Sequence, residues 1–220
     1  MSAASTGGPG AGVRSVNVAV VREFPHRGGT VRTGIWKLPA AGPVKVGAEG
    51  IEGDAVVDRR YHGGLDKAVY TYAAEDYEWW SEELGEDLEP GRFGENLTTE
   101  GIDLVGARIG DRWRVGTALL EVSEPRTPCY KLACKMGDRR FIKRFAKALR
   151  LGAYLRVVEP GEIGAGDAIE LVERPQHDVT VQLLGRAMLG ERDLAADVLA
   201  APALSEKLRS WAEDRSAKAG

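Results

Sequence analysis

The segment Glu124-Pro125-Arg126-Thr127-Pro128-Cys129-Tyr130-Lys131 holds one of only two cysteines in the 220-residue chain. Two prolines fix φ and drive the residues before them toward extended or polyproline geometry. Such a segment turns about once every three residues, so Arg126 and Cys129 fall on one edge. An arginine beside a thiol favours the thiolate, the form that acts as nucleophile and soft metal ligand. The competing reading is a buried structural cysteine after a strand, since free cysteine is among the most buried residue types.

A second candidate is the basic loop Arg59-Arg60-Tyr61-His62-Gly63-Gly64-Leu65-Asp66-Lys67. Gly63 and Gly64 allow backbone N–H groups to approach a ligand closely. Arg59, Arg60 and Lys67 supply the positive charge of an anion or phosphate cradle. The spacing is not that of a Walker loop, and the same residues also read as a solvated basic turn. Phe93-Gly94-Glu95-Asn96-Leu97 adds a carboxylate and an amide after a glycine; it reads either as ligand contact or as an ordinary turn into a strand. The three histidines, His26, His62 and His177, lack paired zinc-ligand spacing. No Gly-x-Ser-x-Gly elbow points to a serine hydrolase. A Cys129/His62 pair is chemically sensible, with the histidine activating the thiol or delivering a proton.

The elements that must position these residues follow from composition and pattern. Hydrophobic residues make up 43% and charged residues 29%, as in ordinary globular proteins, and a net charge of −3 gives no sign of a nucleic-acid or membrane-surface partner. With no disulfide framework and no apolar run of membrane-spanning length, a cytoplasmic location is expected. Residues 1–12 are expected to form a disordered tail. Strands are predicted over Val13–Val21, Thr30–Lys37, Pro43–Val46, Ala68–Tyr72, Arg112–Val115, Ala118–Val122, Gly152–Val158 and Ala168–Val172, with Arg22–Gly29 as a loop. Helices are predicted over Glu75–Leu84, where Tyr77, Trp80 and Leu84 share a face, and over Asp138–Leu149. Tyr70, Tyr72, Tyr77, Trp79 and Trp80 read as core packing, and Cys134 as a core residue. Strand-sized runs between tight turns suggest an antiparallel barrel. After Pro175 the composition turns Ala/Leu-rich, with helical patterns near 181–188, 194–200 and 205–214. The expected organisation is therefore a mainly β (α+β) distorted barrel over 13–175 and a short three-helix appendage over 176–215.

Five stretches in order carry a family resemblance: Gly50-Ile51-Glu52-Gly53-Asp54, His62-Gly63-Gly64-Leu65-Asp66-Lys67-Ala68, Phe93-Gly94-Glu95-Asn96-Leu97, Gly110-Asp111, and Pro125-Arg126-Thr127-Pro128-Cys129. Together they resemble the MOSC family, the domain shared with the C-terminus of molybdenum cofactor sulfurases. They are most similar to its small stand-alone bacterial branch, the YiiM-like proteins. The resemblance implies a cleft for the molybdenum cofactor. Cys129 would be metal ligand or sulfur carrier, and His62 a proton donor or substrate orienter beside it. Lys37, Arg59, Arg60, Gly63, Gly64, Lys67, Glu95, Asn96 and Arg126 would hold the cofactor. The implied activity is removal of oxygen from N-hydroxylated substrates such as hydroxylaminopurine bases. These 220 residues hold neither a pyridoxal-phosphate desulfurase domain nor a ferredoxin-type domain. Sulfur extraction is therefore not expected of them, and electrons are expected from an external donor protein. A homodimer is compatible with this reading. The rival expectation is a non-catalytic carrier of the cofactor or of sulfur.

Overall fold

The computed structural model describes residues 10–26, 28–57 and 63–218. The strands are β1 (Gly12–Ala19), β2 (Arg22–His26), β3 (Gly29–Thr33), β4 (Lys37–Pro39), β5 (Val44–Gly47) and β6 (Gly50–Ile51). A 3-10 turn, Leu65–Lys67, leads into β7 (Val69–Ala73) and helix α1 (Ala74–Leu84). Then come β8 (Leu97–Glu100), β9 (Arg112–Val115), β10 (Ala118–Pro125), α2 (Tyr130–Met136), α3 (Phe141–Ala148), β11 (Ala153–Glu159), β12 (Gly161–Ile163) and β13 (Ile169–Glu173). The C-terminal stretch carries α4 (Val181–Leu189), the 3-10 turn Arg192–Leu194, the single-turn α5 (Ala195–Val198) and α6 (Glu206–Ser216).

Eight strands form one sheet in the order β13-β9-β10-β11-β7-β8-β1-β4, with a smaller sheet β12-β5-β6 and the hairpin β2-β3 apart from it. Among the described strands only β7 and β8 pair in parallel. The fold is α+β and mostly sheet, as expected, but the expected barrel does not close by a continuous ladder. β1 meets the approach to β13 at a single bridge, Gly12 with Ala168. Val13 N–H donates to the Asp167 carbonyl (2.9 Å) and Ile169 N–H to that of Ala11 (2.8 Å).

Strand alternation sorts the interior into two cores. On β7, Val69 and Ala73 face an aliphatic core, while Tyr70 and Tyr72 face an aromatic one. On β11, Ala153 and Leu155 face the aliphatic side and Tyr154 the aromatic side. The aromatic core adds Tyr77 and Trp80 of α1, Phe93, and Phe141 and Phe145 of α3, four residues apart on one helical face. The tyrosines and Trp80 thus pack as predicted.

Several local expectations change. The strand expected over 30–37 is two strands, and Gly34 between them runs so close to Ala55 that a Cβ there would lie 1.9 Å from its carbonyl oxygen. Arg22–His26, expected as loop, pairs with β3, with Pro25 opposite Thr30 in a two-stranded ribbon. Such an edge tolerates proline's missing N–H. The predicted second helix begins later, at Phe141. Helix α2 was not anticipated, because the prolines before it suggested continued extended chain; it begins directly after Cys129 and ends at Gly137, a left-handed cap at φ 69°. Cys134 lies on its exposed side and not in the core. Of the three helical patterns expected at the C-terminus, the first and last form α4 and α6, and the middle one forms only the 3-10 turn and the single-turn α5. Their Leu184, Ala187, Val198 and Leu208 belong to the aliphatic core of the sheet. Among the described residues no helix is long and apolar enough to cross a membrane.

Candidate functional site

β10 is buried along its whole length and delivers Arg126 to the aromatic face of the sheet. The guanidinium carbon lies 5.4 Å from the Tyr70 ring centroid and 5.7 Å from that of Phe145. Arg126 is only 4% exposed. Its Nη2 reaches the Cys129 sulfur at 3.9 Å, as the three-residue spacing predicts. Its Nη1 is buried without a hydrogen-bond partner among the described residues. Leaving a buried charged donor unsatisfied costs about 1–3 kcal/mol or more. Cys129 itself is half-buried, in extended conformation, at the start of α2.

Two cavities meet at this thiol. A narrow cleft of about 80 Å³ is lined by Lys37, Asp54, Asn96, Arg126 and Lys131, among others. A chamber of about 740 Å³ is lined by Gly63, Gly64, Glu124 and the C-terminal residues Met188, Ser205 and Leu208, among others. Cys129, Lys67 and Tyr154 line both. Lys67 pairs with Glu124 at 3.1 Å and stands over the Tyr154 ring, 5.6 Å from its centroid. Burial raises the Glu124 carboxyl above its usual range, against the pull of Lys67. Burial pushes the Tyr154 phenol up to about 12, so it is neutral near pH 7.

Other expected ligand residues serve the scaffold. Lys37 donates at 2.5 Å to both carboxylate oxygens of Asp54. Asp54 also accepts from Ala19 N–H (2.8 Å) and Asn96 Nδ2 (2.9 Å). Burial lowers the Lys37 pKa, and the attraction of Asp54 opposes that shift. Asn96 spends its carbonyl oxygen on Tyr70 N–H at 3.1 Å. It lines the cleft, yet its amide already bridges β1, β7 and Asp54.

Glu95 corrects the expectation most clearly. It is fully buried and absent from both cavity walls. Its Oε1 accepts from Tyr77 Oη (2.5 Å), Gly91 N–H (2.6 Å) and Thr98 Oγ1 (2.8 Å). It therefore holds the loop 91–97 and lines neither cavity. Gly91 (φ 85°) has no room for a side chain, since a Cβ would sit 2.6 Å from the Lys37 carbonyl oxygen. The Gly91 carbonyl in turn accepts from Lys135 Nζ at 2.5 Å.

The structure thus brings Cys129, Arg126, Lys67, Gly63 and Gly64 together and sets Lys37 and Asn96 into one cleft wall. Arg59, Arg60 and His62 lie outside the described residues. Sequence reasoning passed over Lys131, Glu124 and Tyr154. Lys131 and Glu124 stood in the very segment first singled out; the alternation Ala153-Tyr154-Leu155 was the signal for the tyrosine.

Residues 58–170 match the family model described as the MOSC domain. The chain belongs to the MOSC family. This MOSC chain is 37% identical over 201 residues to the uncharacterized protein YflK of Bacillus subtilis (strain 168), covering 90% of this chain and 91% of that one. The crystal structure of YiiM from Geobacillus stearothermophilus matches with a TM-score of 0.77 at 32% identity, over 93% of this chain and 98% of that chain. A protein of Gibberella moniliformis (strain M3125 / FGSC 7600) named "Reductase" is 37% identical over 177 residues. That match spans 79% of this chain and only 31% of the fungal protein.

The MOSC domain is related to molybdenum cofactor sulfurases, and the residues present suit such a group. Arg126 Nη1 is a buried donor with no hydrogen-bond partner among the described residues, and the Cys129 sulfur beside it is of the soft type that suits such a metal. Among the described residues no three His, Cys, Asp or Glu side chains gather to cage a bare ion. A metal here would bring most of its own ligands.

Proposed function

We propose that this MOSC protein binds the molybdenum cofactor and acts as an oxidoreductase on N-hydroxylated substrates such as hydroxylaminopurine bases. The observation that carries the proposal is a half-buried thiol 3.9 Å from a buried guanidinium that lacks a carboxylate partner among the described residues, set where a narrow basic cleft meets a ligand-sized chamber. The fungal relative named a reductase supports the reaction class.

Arg126 and the buried Lys131 would bind the anionic part of the cofactor in the cleft. The Cys129 sulfur would ligate its metal, with the Arg126 charge keeping that sulfur in the thiolate form. When bound, the cofactor supplies a two-electron redox centre. The overall change is R–NHOH + 2e⁻ + 2H⁺ → R–NH₂ + H₂O, with electrons from an external donor protein. Lys67, shared by cleft and chamber, holds the Glu124 carboxylate on the chamber wall. The Tyr70 and Tyr154 rings close off the aromatic side behind the thiol.

The test is molybdenum content of protein purified from a cofactor-producing host, wild type beside Cys129→Ser. Near-stoichiometric metal in wild type and its loss in the variant are expected. Equal metal in both would overturn the thiolate assignment. No metal in wild type, with a persulfide on Cys129 in the intact mass, would replace the proposal with a sulfur carrier.

A further inference from the structure

We propose that the chamber walled by the C-terminal helices is the substrate site, and that Glu124 is its recognition residue for a planar heterocycle carrying N–H donors. This rests on the oxidoreductase reading above, and it adds where the substrate sits and what selects it.

Size divides the two cavities. At about 80 Å³ the cleft holds only a small group. The chamber, about 740 Å³, falls in the range of small-molecule sites. It opens onto the same thiol, so a ligand there reaches the reacting centre past a wall that Arg126 and Lys131 do not line. Its wall combines ring-sized apolar surfaces, Tyr154, Met188 and Leu208, with a few polar groups. Met188 comes from α4 and Leu208 from α6, which gives the C-terminal stretch a direct part in the site. A thioether among rigid rings adapts to a flat ligand.

Glu124 sets the chemistry. It lines the chamber yet is 5% exposed. A carboxylate has acceptor positions for about four hydrogen bonds, and among the described residues Lys67 is its ion-pair partner. Its raised pKa has burial as the largest cause, with Lys67 and Lys207 lowering it and Asp66 raising it. With one ion-pair partner among the described residues, the carboxylate has acceptor positions left for a ligand on the chamber wall. An exocyclic amino group on the ring supplies two N–H donors. An aromatic carboxylate of similar size would instead bring a second negative charge to the same wall and be rejected.

The experiment is isothermal titration of adenine, and of benzoate as the anionic control, into the full chain from a cofactor-producing host. Wild type, Glu124→Gln and Met188→Trp are compared, with thermal melting to confirm folding. Adenine is expected to bind wild type and benzoate not to bind. Affinity for adenine should fall at least tenfold in Glu124→Gln, whose amide replaces an acceptor by a donor. It should fall also in Met188→Trp, whose larger indole takes up part of the chamber beside the ligand. Unchanged adenine affinity in Glu124→Gln would overturn the role of Glu124. No adenine binding to wild type, or unchanged binding in Met188→Trp, would overturn the chamber as substrate site. Molybdenum content of the same samples judges the oxidoreductase reading separately, because neither Glu124 nor Met188 lines the cleft.

Discussion

Lys37→Met separates a scaffold role from the cofactor role that the family resemblance implies for this lysine. The ammonium lies 2.5 Å from each Asp54 oxygen. The two side chains are 7% and 6% exposed. Methionine matches the stem in length but leaves Asp54 charged and buried, with the Ala19 N–H and Asn96 Nδ2 as its donors among the described residues. Breaking a buried pair on one side costs about 3–5 kcal/mol. In a chain of this size each kcal/mol moves Tm by about 2–4 °C. Lys37→Met should therefore melt about 6–20 °C below wild type by circular dichroism. Lys37→Met/Asp54→Asn removes both charges, and the amide oxygen it introduces still accepts from the Ala19 N–H, so most of the loss should return. The double variant should also keep wild-type molybdenum content, because Arg126 and Lys131 remain. A Lys37→Met protein that melts within about 2 °C of wild type, the low end of that range per kcal/mol, and has lost its metal would refute the argument.

Arg126→Met should behave in the opposite way. It forfeits two cation–π contacts worth about 0.5–2 kcal/mol each but relieves a buried orphan donor worth about 1–3 kcal/mol. Tm should stay within a few degrees while molybdenum is lost and alkylation of Cys129 slows. A fall beyond about 10 °C with metal retained would make Arg126 a structural cation. Lys135 gives a pH test. Burial lowers its pKa to about 7, against about 10.4 in the unfolded chain. Between these values the unfolded state binds the extra proton, so stability rises with pH, by up to about 1.4 kcal/mol per unit. Below about pH 7 both states are protonated and the contribution is flat. Denaturant midpoints from about pH 6 to 10 should show this rise in wild type and not in Lys135→Met; equal slopes would contradict it.

Much of the arrangement was legible in residue order. Alternation along Val69–Ala73, the Tyr77/Trp80 face and the proline-framed spacing of Arg126 and Cys129 are local, and each formed as the period or the fixed φ requires. Such features depend on a few neighbouring residues, so sequence alone determines them. The five motif stretches likewise identified the family. What tertiary structure decided was partnership. Nothing local told Lys37 that Asp54, 17 residues on, would take its charge. Nothing local told Glu95 that Tyr77, Gly91 and Thr98 would claim its one bonded oxygen. Both residues have the chemistry of ligand contacts, and burial against a nearer partner makes them scaffold. Glu124 shows the reverse. Its sequence marks it as an ordinary polar residue at a strand end, and only the meeting of β10 with the C-terminal helices places it on a cavity wall. Charge and hydrogen-bonding capacity belong to the residue, whereas whether they face a ligand or the protein depends on contacts between segments far apart in the chain.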